Sequence, residues 1–288
     1  MVSLPSSGAS EIRVLDADEQ DLALEFLQLD PLNNVYFISR IQDEGVGLRG
    51  QTVAVLAGGE IVVLASLTTN VVLAGRENLS AELREEATAL IAGRILGRSL
   101  PVRAMISDAR LVDALWRRLE KRISPPTVVR LRQPVYAIPR GPTALPDLER
   151  LRYAVESDLA SLVPACAAMH VEEVGISPLD RDAVGYRNRI RELIQRRRSF
   201  VLVENREIIF KAELSAVTDD AVQVMGVWTR PARRREGYAR VGMAELAGHT
   251  LRQGKAITLF VNDFNHPAIR LYEDLGFRRM GENRALIW

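Results

Sequence analysis

Residues 222–246, VQVMGVWTRPARRREGYARVGMAEL, set a β-branched run, a proline turn, a group of arginines and a glycine directly before a helix-forming segment. The turn holds Arg230, Arg233, Arg234 and Arg235, and Arg240 follows within one helical turn of Gly237. A helix start offers free backbone N–H groups and the positive end of the peptide dipoles. Glycine there lets an anion approach the backbone, and guanidinium groups add paired contacts to phosphate oxygens. The chemistry indicated is the grip of a phosphorylated ligand. A second strand–helix unit, ITLFVNDFNHPAIRLYEDLGF at 257–277, places Asn265 as a helix cap, Pro267 in the first turn and Gly276 at the left-handed close. Tyr272 on that helix is a phenol that either gives up a proton or packs its ring on a sheet.

Carboxylates supply the remaining chemistry. Glu213 interrupts the apolar run 208–216, and either accepts a proton or faces outward on its strand. In MHVEEVGISP, residues 169–178, Glu172 and Glu173 either recognise a cationic amine or are solvated loop acids. His170 and Cys166 read as structural residues, and the arginine-rich run 187–198 as a solvated helix face. A single cysteine forms neither an internal disulfide nor a metal cluster, so no metal site is expected.

The elements that must position these groups form two similar series. In the first half, strands are predicted at 12–15, 52–57, 61–68, 71–74, 102–106 and 128–138, with a hairpin turn at Gly58-Gly59. Helices are predicted at 18–29, 33–42, 80–96 and 109–121, the third capped by Ser80. In the second half, strands are predicted at 151–154, 199–203, 208–216, 222–229 and 257–261, with β-structure over 277–288. Its helices are predicted at 157–170, 180–197, 237–252 and 267–275. Proline and glycine mark 140–147 as a linker between domains at 11–139 and 148–288, after a flexible stretch 1–10. The shared order of elements suggests a duplication.

Composition bounds the rest. The 288 residues are 47% apolar and 26% charged, with a net charge of +1, values of an ordinary globular protein. Near-neutral charge argues against a nucleic-acid binder, and no eighteen-residue apolar run occurs to span a membrane. No signal peptide is read at the start, so a cytoplasmic protein is the expectation. Lysine stands only at 121, 211 and 255, so 35 of the 38 basic residues are arginine (38 − 3), an excess read as genomic bias.

The spacing Arg234-x-x-Gly237-x-Ala239 resembles the pyrophosphate-binding signature of the GNAT superfamily of N-acetyltransferases. The segment from Asn265 through Ala268, Leu271, Tyr272 and Gly276 to Phe277 resembles that superfamily's second element. The resemblance covers 148–288, and GFRRMGENRALIW at 276–288 resembles the family's last two strands. It implies an α/β fold of two tandem GNAT-like domains, each a mixed, mostly antiparallel twisted sheet flanked by helices, the first degenerate.

The resemblance further implies acetyl-CoA as acyl donor and a primary amine of a small molecule or protein as acceptor. Backbone groups at Met225 and Val227 would hold the pantetheine and thioester. Arg234, Arg235, Gly237, Tyr238, Ala239 and Arg240 would hold the pyrophosphate. Asn265 would touch the cofactor arm or merely cap its helix, and Tyr272 would protonate the leaving thiolate. Many relatives have glycine where Arg235 stands, a departure that bears on phosphate binding. The first half shows no such glycine, and Glu82, Glu85 and Glu86 crowd its corresponding helix start, so no acetyl-CoA is expected there. The competing expectation is a non-catalytic module that senses acetyl-CoA or binds a partner.

Overall fold

The computed structural model describes residues 10–46, 51–98 and 101–288. The stretch expected to be flexible therefore lies, but for Ser10, outside the described residues. The chain separates into two compact units. One comprises Met1–Val135, Val261–Phe264 and Met280–Trp288; the other comprises Tyr136–Phe260 and Asn265–Arg279.

The first unit opens with β1 (Glu11–Val14), α1 (Gln20–Leu27) and α2 (Val35–Glu44). There follow β2 (Thr52–Ala57), β3 (Glu60–Leu67), β4 (Asn70–Gly75), α3 (Ala81–Gly97), β5 (Ala104–Asp108), α4 (Ala109–Leu119) and β6 (Val128–Ile138). Residues in β2 and β3 are buried on both faces, which explains their unbroken apolar runs. One face packs on Ile91, Ile95, Leu111 and Leu115 of α3 and α4, the other on Phe26, Phe37, Ile38 and Ile41 of α1 and α2.

The second unit holds β7 (Arg152–Tyr153), α5 (Leu159–Val174), α6 (Pro178–Gln195), β8 (Ser199–Glu204), β9 (Glu207–Val217) and β10 (Ala221–Thr229). It continues with α7 (Tyr238–Arg252), β11 (Ala256–Phe260) and α8 (His266–Asp274). Strand order is β11-β10-β9-β8-β7, antiparallel except for the parallel pair β10–β11. Helices α5 and α6 cover one face through Leu162, Cys166, Ile190 and Ile194. On the other face α7 lies so close that a Cβ on Gly242 would stand 2.3 Å from the Phe210 ring.

The closing segment departs from the sequence reading. In place of two strands it forms one, β12 (Arg278–Ile287), and residues 280–288 belong to the first unit. There β12 pairs antiparallel with β5, Asn283 facing Asp108 and Ile287 facing Ala104. Leu286 enters the first core, and Trp288 stacks edge-on with Trp116 at 5.7 Å. Alternation shows which residues point inward, but does not say which sheet they enter. The compact units are thus not divided by one cut at 140–147. Leu286→Ala is expected to cost about 2 kcal/mol or more, read as a lower urea midpoint for the transition that also reports Trp116.

Candidate active site

The parallel pairing of β10 and β11 runs from Ala221 against Ala256 to Val224 against Leu259. Beyond Leu259 the two strands are no longer paired. On its other edge β10 loses register with β9 between Met225 and Trp228, so Gly226 and Val227 form a bulge. Gly226 has φ +62°, and a Cβ there would lie 3.1 Å from Lys211 Nζ and 3.2 Å from Glu213 Oε2. Glycine is required on both counts. The strand therefore presents backbone groups of Met225–Val227 that no neighbouring strand occupies in regular order, and Met225 is 38% exposed. A lone glycine inside a strand pattern signals such a bulge, so this feature was available from sequence.

Past β10 the chain turns through Pro231–Arg233 and reaches Arg235 at φ +68° and Gly237 at φ +87°. The positive φ at 235 accounts for the glycine common among relatives at that position. Gly237 is the N-cap of α7 and no side chain caps the helix, so the N–H groups of Tyr238, Ala239 and Arg240 lack intrahelical partners. A Cβ on Gly237 would meet nothing within 4 Å, leaving open space over those donors. Such an arrangement suits an anion.

The first unit is built differently at the corresponding place. Ser80 caps α3 by accepting from the Leu83 N–H at 3.2 Å. Glu82 lies in its first turn, and Glu85 pairs with Arg117 and Arg118. Strands β4 and β5 pair only at Asn70 and Val71, and beyond them the Leu73 N–H donates to Ser107 Oγ at 2.7 Å.

Side chains around the α7 start are mostly engaged. Arg234 donates to both Glu172 oxygens at 2.9 and 2.6 Å and to the Thr229 carbonyl at 3.1 Å. Trp228 Nε1 also donates to Glu172, at 3.2 Å. Two residues read separately, one for phosphate and one for the acceptor, are thus partners, an association that 62 intervening positions hide from sequence. Arg233 binds Glu204 and Glu236, and the Tyr238 hydroxyl donates to Glu204 at 2.8 Å. Glu204, unmarked in the sequence reading, anchors this corner by also accepting from Arg150 at 2.9 Å. Arg240 pairs with Asp274 at 3.0 Å, while the Arg235 side chain is exposed.

On α8, Asn265 Oδ1 accepts from the Ala268 N–H at 3.3 Å, which is the cap geometry. Tyr272 is 5% exposed, with its ring 5.7 Å from Phe277. Among the described residues its hydroxyl has no hydrogen-bond partner. Burial, with a smaller contribution from the Glu173 charge, pushes its pKa well above the ordinary phenol value. It keeps its proton at neutral pH and has not committed it elsewhere.

Glu213 faces inward, 5% exposed, and forms an ion pair with Lys211, whose side chain is fully buried. Cys166 Sγ donates to the same carboxylate at 3.3 Å. Lys211 carried a signal that was passed over: it stands two positions from Glu213, on the same face of an apolar strand. A carboxylate that neutralises a buried ammonium abandons that task if it takes a proton, which weighs against Glu213 as the base. Among the described residues, no three His, Cys, Asp or Glu side chains converge as for a metal, and no helix is long and apolar enough to cross a membrane.

An FR47-like protein family model matches residues 212–286, and a domain of unknown function (DUF4081) matches 60–162. No curated protein matches. Among solved structures, a GCN5-related N-acetyltransferase from Sphaerobacter thermophilus is 16% identical, with a TM-score of 0.60 over 98% of this chain and 96% of its own. A GNAT-family acetyltransferase from Colwellia psychrerythraea is 13% identical, with a TM-score of 0.57 over 96% and 100%. A tandem GNAT protein from the clavulanic acid biosynthesis pathway is 13% identical, with a TM-score of 0.52 over 96% and 98%. At these identities the likeness is one of fold. A chain that spans such structures nearly end to end, and matches the FR47-like model within its second half, is a tandem GNAT-like protein.

Proposed function

We propose that the second unit transfers an acetyl group from acetyl-CoA to a primary amine by direct attack within a ternary complex. The observation that carries this reading is the succession of a bulged, parted parallel strand and an uncapped helix start. Backbone groups at Met225 and Val227 would hold the thioester, and the N–H groups of Tyr238, Ala239 and Arg240, with Arg234, Arg235 and Gly237, the pyrophosphate. Asn265 would border the cofactor arm while it caps α8. The acceptor nitrogen would attack the thioester carbon, the C–S bond would break, and Tyr272 would hand its proton to the departing sulfur. Glu172 and Glu173, at the end of α5, would meet a cationic amine. Glu213 is the carboxylate nearest the bulge, and its pairing with Lys211 makes solvent the easier route for the amine proton.

The Arg234–Glu172 pair is an obstacle of known size. Both side chains are nearly half exposed, and such pairs contribute about 0–1 kcal/mol. A phosphate beside the free N–H groups can therefore draw Arg234 away. The same pair also favours the second reading, a non-catalytic module that senses acetyl-CoA or holds a partner, because it spends both residues on each other.

Titration calorimetry is expected to show one acetyl-CoA per chain, since the first unit has a capped, acidic helix start and Ser107 at the strand opening. Two sites, or none, would overturn this. Mass detection of acetylated products across an amine panel then separates catalysis from sensing: binding without any product leaves the sensing module.

A further inference from the structure

Lys211, Glu213 and Cys166 form a buried cluster that acetyl transfer by backbone groups and Tyr272 does not use. The Lys211 side chain is fully buried and that of Glu213 7% exposed. Cys166 on α5 donates to Glu213, and Tyr186 on α6 feels the charges of both. Burial opposes a charge on Lys211, yet the facing Glu213 carboxylate and Cys166 hold its pKa above the ordinary lysine value. Buried ion pairs are commonly replaceable by apolar residues without loss of stability, so stability alone does not explain this one.

Its position is more informative. The strand passes over the pair at the bulge, where a Cβ on Gly226 would stand 3.1 Å from Nζ and 3.2 Å from Glu213 Oε2. Three direct chemical roles fail on this geometry. A protonated lysine has no lone pair with which to accept an acetyl group. Burial pushes the Cys166 thiol up to about 12, so it offers no thiolate to carry one. Protonating Glu213 would strand the ammonium in the interior. What remains is a fixed positive charge, held in place by its counter-ion, in a site of low dielectric.

Building on the acetyl-transfer reading, we propose that Lys211 is a positioning residue whose ammonium polarises the Gly226 bulge toward the negative charge that develops on the acetyl oxygen. Charge placed in advance where a reaction will need it requires no reorganisation during the step. Glu213 serves as the counter-ion that keeps Lys211 charged.

The test uses the full chain and acetyl-CoA carrying ¹³C at the acetyl carbonyl, read by isotope-edited difference infrared spectroscopy. In the unmodified protein the bound carbonyl stretch is expected at lower frequency than in free acetyl-CoA. In the neutral, hydrogen-bonding variant K211Q/E213Q it should return most of the way to the free value, with acetyl-CoA affinity within about threefold. The Lys211→Arg variant, which restores the charge, should recover the shift. Should K211Q/E213Q fail to fold, the apolar K211M/E213L gives the same comparison. With an amine from the panel, kcat should fall roughly 10²-fold while KM stays near its original value. An unchanged stretch in a folded, acetyl-CoA-binding neutral variant overturns the proposal. Failure of the unmodified protein to bind acetyl-CoA is a different result, and removes the acetyl-transfer reading together with this one.

Discussion

Tyr272→Phe is expected to lower acetyl transfer by roughly 10²-fold or more while leaving acetyl-CoA affinity and thermal midpoint nearly unchanged. The substitution removes one oxygen. It keeps the ring that packs 5.7 Å from Phe277, so the fold loses little. Because the hydroxyl has no partner among the described residues, its removal also strands no buried donor or acceptor. Burial and the Glu173 charge keep the phenol protonated well past its usual range. Its own titration should therefore leave no alkaline limb in the rate profile below pH 10. Single-turnover transfer to an amine from the panel gives the rate. Full activity in the variant would exclude Tyr272 as the acid, and a break attributable to its ionisation near neutrality would exclude the assigned protonation state.

Gly237→Val is expected to weaken acetyl-CoA binding by at least about 100-fold, through strain at a left-handed residue and loss of the approach to the helix start. At φ +87° a β-branched residue is a backbone outlier, and the turn must move to relieve it. Moving it re-aims the N–H groups of Tyr238, Ala239 and Arg240, the donors that no side chain caps. The open space beside Gly237 is where the new methyl groups would project, so they would block an anion rather than collide with protein. Calorimetry and a thermal melt separate the effects: binding should collapse with a modest fall in midpoint. Affinity within threefold of the original would show that the phosphates sit elsewhere.

Much of this was legible locally. The β8–β9 hairpin announces itself by polar residues between two apolar runs, and Asn205 and Arg206 do take the left-handed pair of values, φ 50° and 66°. The start of α7 follows from glycine after a strand, and the cap of α8 from asparagine two residues before proline. Distant pairings were not legible. Nothing near Arg234 announces Glu172, and nothing in the alternation of β12 names β5 as its neighbour. Lys211 illustrates a third case. Its burial follows from the strand's apolar neighbours, but lysine is so seldom fully buried that only the Glu213 carboxylate two residues on makes it intelligible.

The pairing of β12 with β5 also sets a clock on synthesis. Arg284 meets Asp113 across 171 positions of sequence, so the neighbour of β5 is translated long after β5 itself. At roughly 5–20 residues per second the interval is about 9–34 seconds, during which the second unit emerges and has time to fold. Throughout it, β5 presents an open edge of the kind that recruits foreign strands. The older half of the polypeptide is therefore the last to mature, and a ribosome stalled beyond residue 150 would leave a nascent chain that calls for chaperone cover.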